Sequence, residues 1–256
     1  MVEPADSAAI VAAQPPQGPR ARIIGIGSGH PGHLTGEATD ALATVDYVIA
    51  AAKNDDDPLL AVRRQLCEHH GTELVAVTDP ARDRDDPADY DRAVRDWHAA
   101  RVAAYAEVLD SRPGTVGFLV WGDPSLYDST IRIVEALGIP YDVIPGVSAP
   151  QLLAAAHGIV LHPVGHPVLA TTGRRLAAEV AAGHRNLVVM LDGRLACLEL
   201  ADLPDWQIWW GANLGTESQR LVRGRLDVVA DEIAAARAAA GAEAGWVMDT
   251  YLLRRG

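Results

Sequence analysis

The segment VWGDPSLYDST, residues 120–130, decides how the first half of the chain is interpreted. It follows an apolar run over 116–121, which is typical of a buried strand. It precedes 131–137, which predicts a helix, and Ser129 or Thr130 is placed to cap that helix. A strand, a tight Gly-Asp-Pro turn and a capped helix bring a carboxylate and backbone amides to the carboxyl end of a sheet. Because ligands bind at that edge in open α/β sheets, the segment predicts a ligand site.

Apolar runs alternate with helical patterns on both sides of this segment. The pattern predicts strands over 22–26, 47–51, 73–77, 116–121 and 141–144. It predicts helices over 35–43, 58–69 and 89–109, and a charged loop over 79–89. Strands separated by helices predict a mostly parallel sheet with helices on both faces.

A second α/β pattern begins after residue 160. Strands are predicted over 168–171, 187–191, 207–210 and 245–253, and helices over 175–181 and 228–240. The predicted fold class is therefore α/β, with two α/β lobes and a cleft between them, a common place for a small-molecule site. The predicted parts are a disordered tail (1–20), an N-terminal lobe (21–160), a linker (161–167) and a C-terminal lobe (168–256).

Composition narrows the function classes. The net charge of −12 over 256 residues argues against nucleic acid as a partner. No apolar run reaches the length of a membrane helix and no signal peptide is visible, so we expect no membrane partner and a cytoplasmic location. Cys67 and Cys197 show no metal spacing and are expected to be reduced core residues, and no metal site is predicted. Because the chain is acidic overall, an anionic ligand would have to bind to a local cluster of arginines. The candidates are Arg82, Arg84, Arg174 and Arg175.

The loop GIGSGHPGHLT, residues 25–35, formally satisfies the dinucleotide pattern G-x-G-x-x-G. Three features argue against that function. Pro31 removes one amide from the loop, and the helix begins only after the loop. No acidic residue stands at the end of the second strand, where the sequence over 50–53 is AAAK. The loop is therefore interpreted as facing another ligand, with a simple turn as the alternative.

Three further turns follow predicted strands. In IPGVSAP, residues 144–150, Ser148 is a natural N-cap, and a contact to a ligand is the alternative role. The strand in NLVVMLDG, residues 186–193, ends in Met190, and WWGANLGTE, residues 209–217, ends a strand in Gly-Ala. In the first turn, the Asp123 carboxylate is expected to accept hydrogen bonds from a ribose, from an amino group or only from the amides of its own turn.

Together these motifs resemble the tetrapyrrole methylase family of S-adenosylmethionine-dependent methyltransferases. The resemblance covers about residues 21–256 and rests on the glycine loop, GDPxxY at 122–127, PGxS at 145–148 and the strand ending in Met190. It implies the two-lobe class III methyltransferase fold, a homodimer, and S-adenosylmethionine bound in the cleft with S-adenosylhomocysteine as product. The cofactor-binding residues that it implies are Gly122, Asp123, Pro124, Leu126, Ser148, Ala149, Met190 and Ala212.

The same resemblance places the glycine loop on the substrate side, with Ser28, Gly29 and His30 standing where the family usually has Pro-Gly-Asp. Longer stretches, among them TTGRRLA at 171–177 and GWVMDTYLLRR at 245–255, are similar to the members that methylate precorrin-5 and release acetate. Arg174 and Arg175 are then expected to pair with substrate carboxylates. The candidates for catalysis are Asp123, Tyr127 and Asp249, with His157 and Tyr251 also considered.

Three alternatives remain at this point. One is a methylase acting on another corrin intermediate or on a different substrate, which would keep the cofactor residues. The second is an NAD-dependent oxidoreductase. The third is a catalytically inert tetrapyrrole-binding protein.

Overall fold

The computed structural model describes residues 19–54, 56–80, 90–201 and 205–256, and within them the strands form two five-stranded sheets. The strands of the first sheet are β1 (Arg20–Gly25), β2 (Tyr47–Ala52), β3 (Glu73–Thr78), β4 (Thr115–Val120) and β5 (Tyr141–Ile144). They are parallel and lie in the order β3-β2-β4-β1-β5, which confirms the predicted parallel sheet. The tail predicted over 1–20 and the loop predicted over 79–89, with Arg82 and Arg84, lie wholly or largely outside the described residues.

Strand β1 is covered on both faces. Ile23 packs in one apolar cluster with Val116 and Phe118, whereas its neighbour Ile24 packs in another with Leu42. A strand covered on both faces needs apolar residues at consecutive positions rather than at alternate ones. This explains why the central strands of this lobe are continuous apolar runs in the sequence.

The helices of the first lobe lie close to their predicted positions. They are α1 (Gly36–Leu42), α2 (Pro58–His70), α3 (Tyr90–Ser111) and α4 (Thr130–Leu137). Thr35 Oγ1 caps α1 by accepting a hydrogen bond from Ala38 N (3.0 Å), and Asp57 Oδ1 caps α2 by accepting one from Leu59 N (3.0 Å).

The prediction that Ser129 or Thr130 caps α4 is wrong. Asp128 Oδ1 accepts the hydrogen bond from Thr130 N, at 2.6 Å. The Ser129 side chain makes no capping hydrogen bond, because its backbone (φ −112°, ψ −4°) lies near the helical region instead of the extended region that a capping residue needs.

The second sheet is mixed. Its strands are β6 (Leu169–Thr172), β7 (Asn186–Met190), β8 (Trp206–Ala212), β9 (Arg220–Arg225) and β10 (Asp249–Arg255). They lie in the order β6-β7-β10-β8-β9, where β6 and β7 are parallel and the other pairs antiparallel. Strand β9 was not predicted, because its sequence, RLVRGR, carries too few apolar residues for a strand pattern.

Helices cover both faces of the second sheet. Helix α5 (Ala149–His157) follows β5 of the first sheet but packs against β8 and β10 of the second. Its buried Leu153 lies in one apolar cluster with Met190 and Leu252. The helices α6 (Leu176–Ala181) and α7 (Leu226–Ala244) contribute to the cluster that also holds Trp206 and Trp210. Helix α5 therefore joins the two lobes through its packing as well as through the chain.

Three glycines meet where β1, β4 and β5 end. A Cβ on Gly25 would stand 2.6 Å from Gly146 N, and a Cβ on Gly146 would overlap the Gly122 carbonyl oxygen. All the obstructing atoms belong to backbone, so no side chain can move aside. The approach of these backbone segments therefore requires glycine at positions 25 and 146, whereas Gly122 provides the left-handed conformation (φ 64°) of the turn after β4.

We predict that Gly146→Ala lowers the free energy of unfolding by roughly 1–3 kcal/mol, because backbone must shift to admit the methyl group. Gly36→Ala is the matched control: no atom lies within 4 Å of its added Cβ, so it should leave stability nearly unchanged. Urea unfolding of both variants measures the difference. Equal midpoints for Gly146→Ala and the wild type would contradict the proposed close packing.

Candidate functional site

A cavity of about 520 Å³ lies where the turns after β4, β7 and β8 meet. Residues of both lobes line it. The contributing segments are 27–28, 121–128, 148–152, 190–193, 213–216 and 246–250, together with Arg237 of α7. The fold thus brings together in one place the turns that the sequence analysis singled out separately.

Asp123 connects two turns on the first-lobe side of the cavity. Its Oδ2 accepts a hydrogen bond from Gly146 N (2.9 Å), and its Oδ1 accepts one from Ser125 N (2.9 Å) and another from the Ser125 hydroxyl. Burial alone would raise the pKa of Asp123, but the hydrogen bonds from Ser125 and Gly146 outweigh it and lower the pKa. The carboxylate is therefore ionised at neutral pH and does not serve as a proton donor.

Strained backbone is concentrated at the cavity. Tyr127 (φ 54°), Leu191 (φ 52°) and Asn213 (φ 49°) line it in the left-handed conformation that most L-residues avoid. The side chains of Tyr127 and Leu191 are also 48% and 67% exposed, which is high for large apolar groups. Strain at such positions persists only where the surrounding structure enforces it, and it is typical of ligand-binding sites.

Asn213 holds the second-lobe wall of the cavity. Its Oδ1 accepts a hydrogen bond from Met248 N (2.9 Å), and its Nδ2 donates to Ser218 Oγ (3.1 Å) and to Trp246 O (3.3 Å). The sequence analysis placed Asn213 in a turn but gave it no role. The one local signal was an asparagine directly after a strand, a residue type that tolerates the left-handed conformation.

Two more carboxylates of the second lobe are engaged by neighbouring side chains. Arg237 Nε lies 2.9 Å from Asp249 Oδ2, and the Asp249 side chain is only 4% exposed. Burial raises the pKa of Asp249, against the opposing charge of Arg237. Asp192 accepts a hydrogen bond from the Tyr251 hydroxyl at 2.5 Å. Burial raises the pKa of Tyr251, so that hydroxyl stays protonated.

The structure brings many, but not all, of the predicted site residues to the cavity. Those that line it are Ser28, Gly122, Asp123, Leu126, Tyr127, Ser148, Ala149, Met190 and Asp249. Pro124 and Ala212 are buried beside lining residues. The backbone of Gly29 packs against Val62 and Trp121, whereas His30 is exposed.

Arg174 and Arg175 lie in a short turn before α6 and do not line the cavity. Arg175 forms an ion pair with Glu179, with 2.7 Å between Nη2 and Oε1. Burial raises the pKa of Tyr127, while the charges of Arg175 and Glu179 act on the same hydroxyl in opposite directions.

In the described ranges no group of three or more His, Cys, Asp or Glu side chains is arranged to hold a metal ion. Within the same ranges, no helix is long and apolar enough to span a bilayer.

Comparison with known proteins identifies the class of this site. The family described as Tetrapyrrole (Corrin/Porphyrin) Methylases matches residues 22–230, and the chain belongs to that family. The family consists of methyltransferases that use S-adenosylmethionine. The predicted family membership and the predicted two-lobe α/β fold are both confirmed.

Individual relatives match over nearly the whole chain. A precorrin-6A synthase [deacetylating] from Sinorhizobium sp is 45% identical over 248 residues, which is 91% of this chain and 94% of that protein. The crystal structure of a putative cobalamin synthesis related protein (CobF) from Corynebacterium diphtheriae is 40% identical, with a TM-score of 0.79, over 93% of this chain and 98% of that one. A uroporphyrin-III C-methyltransferase from Thermus thermophilus, complexed with S-adenosylhomocysteine, shares the fold at 22% identity and a TM-score of 0.57, over 92% of each chain.

We predict that Asn213→Ala lowers the free energy of unfolding by roughly 2–4 kcal/mol, because it removes three side-chain hydrogen bonds and leaves buried partners unpaired. Asn54→Ala, at an exposed position, is the matched control and should leave stability unchanged. Thermal unfolding of both variants provides the comparison. If the Asn213 variant unfolds at the temperature of the control, these bonds do not support the cavity wall.

Proposed function

We propose that this protein transfers the methyl group of S-adenosylmethionine to C-1 of precorrin-5 and releases acetate, giving precorrin-6A in cobalamin biosynthesis. The observation that carries the proposal is the 45% identity to a precorrin-6A synthase [deacetylating] over 91% of the chain. A match of that extent includes both lobes, and therefore both walls of the cavity.

The cavity supports a site for S-adenosylmethionine. Apolar side chains such as Leu126, Met190 and Leu214 surround it, while turn backbone and the Asp123 carboxylate supply polar groups. We assign cofactor binding to Gly122, Asp123, Leu126, Ser148, Ala149 and Met190, with Pro124 and Ala212 supporting them from behind. Arg174, Arg175, Gly29 and His30 are assigned to the substrate side, outside the cavity itself.

Methyl transfer demands alignment more than side-chain chemistry. The S–CH₃ bond breaks with its electron pair left on sulfur, and a macrocycle carbon supplies the pair for the new C–C bond. The protein contributes by holding the two molecules in line and excluding water. Tyr127 keeps its proton and is available as a hydrogen-bond donor, whereas Asp123, through Gly146, and Asp249, through Arg237, hold the walls.

The first test is a calorimetric titration with S-adenosylhomocysteine and, separately, with NAD. We expect S-adenosylhomocysteine to bind with a Kd on the order of micromolar. Asp123→Ala should weaken that binding by about tenfold or more, because the turn loses its link to Gly146 and one charged partner. Asp110→Ala, an exposed carboxylate on α3, is the control. Binding of NAD without binding of S-adenosylhomocysteine would overturn the proposal in favour of an oxidoreductase.

The second test identifies the reaction. The purified protein is incubated with freshly generated precorrin-5 and S-adenosylmethionine labelled in the methyl group. Mass spectrometry and acetate assay should show one labelled methyl group gained and one acetate released per turnover. Labelled product without acetate would indicate a different corrin C-methyltransferase, and binding without transfer would indicate an inert tetrapyrrole-binding protein.

We also propose that two copies assemble and that the protein works in the cytoplasm. Two observations support this: Val160 and Val164 expose apolar surface near the connection between the lobes, and the buried Cys67 and Cys197 form no disulfide, which fits a reducing compartment. Static light scattering should give twice the 27.2 kDa mass of one chain. The mass of a single chain at micromolar concentration would contradict the dimer.

A further inference from the structure

We infer that Ser28 and His33 form a nucleophile–base pair that removes the acetyl group from the substrate. The inference rests on the proposed function, because that function supplies the acetyl group. It assigns to the glycine loop the step that methyl transfer alone does not need, namely breaking a C–C bond to a carbonyl carbon.

The geometry of the pair is that of an activated hydroxyl. Ser28 Oγ lies 2.8 Å from His33 Nδ1. The His30 amide donates to the same oxygen at 3.3 Å, which leaves the hydroxyl hydrogen free to point at the imidazole. A serine and a histidine within hydrogen-bond reach are the basic requirement for nucleophilic catalysis. Ser28 also lines the cavity, so a bound substrate can reach it.

The loop is built so that these two side chains meet. Gly27 (φ 60°) and Gly29 (φ 82°) reverse the chain around Ser28, and a short helical turn (Pro31–His33) brings His33 back to it. From the second lobe Gly215 closes over the pair. A Cβ at that position would stand 3.0 Å from Ser28 Oγ and would overlap the His33 ring. The two lobes thus enclose the pair at the edge of the cavity.

His33 is suited to accept a proton. Burial, and secondarily the neighbouring His30, lower its pKa, so the ring is neutral at physiological pH. By contrast, the two threonine hydroxyls at the cavity are already committed. Thr216 Oγ1 donates to Asn213 O (2.8 Å) and Thr250 Oγ1 donates to Val189 O (2.9 Å).

Removal of the acetyl group needs no reactant other than water. Ser28 Oγ attacks the acetyl carbonyl carbon, and its proton passes to His33 Nδ1. The bond between the carbonyl carbon and the macrocycle then breaks, leaving its electron pair on the macrocycle and the acetyl group as an ester on Ser28. His33 first releases this proton to solvent and then takes one from a water molecule, which attacks the ester. Acetate leaves, and the proton passes from His33 back to Ser28 Oγ. The macrocycle keeps the electron pair that attacks the methyl group.

The experiment compares acetate release by the wild type, Ser28→Ala and His33→Gln, each with precorrin-5 and S-adenosylmethionine. Ser111→Ala and His69→Gln, both at exposed positions on helices, are the matched controls. We expect Ser28→Ala and His33→Gln to release acetate at least about 100-fold more slowly, while they bind S-adenosylhomocysteine as the wild type does and the controls retain full activity. Methyl transfer should fall in parallel, because its nucleophile is no longer formed.

The conservative Ser28→Cys provides a second measurement that does not depend on the alanine variant folding. We expect it to retain the acetyl group as a thioester, located by peptide mass spectrometry. Acetate release at the wild-type rate by either Ser28→Ala or His33→Gln overturns the inference and leaves the proposed function intact. Absence of acetate release by the wild type overturns the proposed function itself, so the two failures are distinguishable.

Discussion

The contact of three glycine backbones at the ends of β1, β4 and β5 is the constraint on which the site depends. Gly25 and Gly146 approach each other and the Gly122 carbonyl so closely that neither has room for a Cβ, and Asp123 fixes the arrangement by accepting a hydrogen bond from the Gly146 amide. Because the strands end in register at this point, the turns that follow them leave in the same direction. The glycine loop, the Gly-Asp-Pro turn and the start of α5 therefore lie next to one another. A larger residue at position 25 or 146 would separate these turns even without a ligand.

The opposite wall depends on hydrogen bonds rather than on close packing. The turn after β8 adopts a left-handed conformation at Asn213, whose side chain then secures the backbone leading into β10. Helix α5 supplies the link between the walls, because it starts at the first sheet and buries Leu153 against the second. A cavity built in this way has two walls of different character. The first is fixed by sterics, whereas the second is fixed by polar contacts that a ligand or a partner lobe can influence.

Local sequence patterns were enough to predict most of the first lobe, since each strand is an apolar run and each helix has a recognisable start. They failed where a backbone angle or a partner distant in the chain decides the structure. Asp128 rather than Ser129 caps α4 because of a backbone angle that no pattern reveals. Strand β9 can be recognised only from its antiparallel pairing with β8. The role of Asn213 depends on residues after α7, and the Ser28–His33 contact depends on a loop closed from above by Gly215. The cofactor turns were predictable from resemblance, but their mutual distances were not.

The proposed chemistry fits a single cavity better than two separate sites. Removing an acetyl group from a ring carbon leaves an electron pair on the macrocycle, and that pair is short-lived if water can protonate it. Methyl transfer needs the same electron pair, together with a sulfonium aligned on it. Ser28 and the turn of Asp123 both line this cavity, which allows the two steps to follow each other without release of the macrocycle. Closure of Gly215 over Ser28 and His33 serves both steps, since it holds the base in place and keeps bulk water from the carbon that must receive the methyl group.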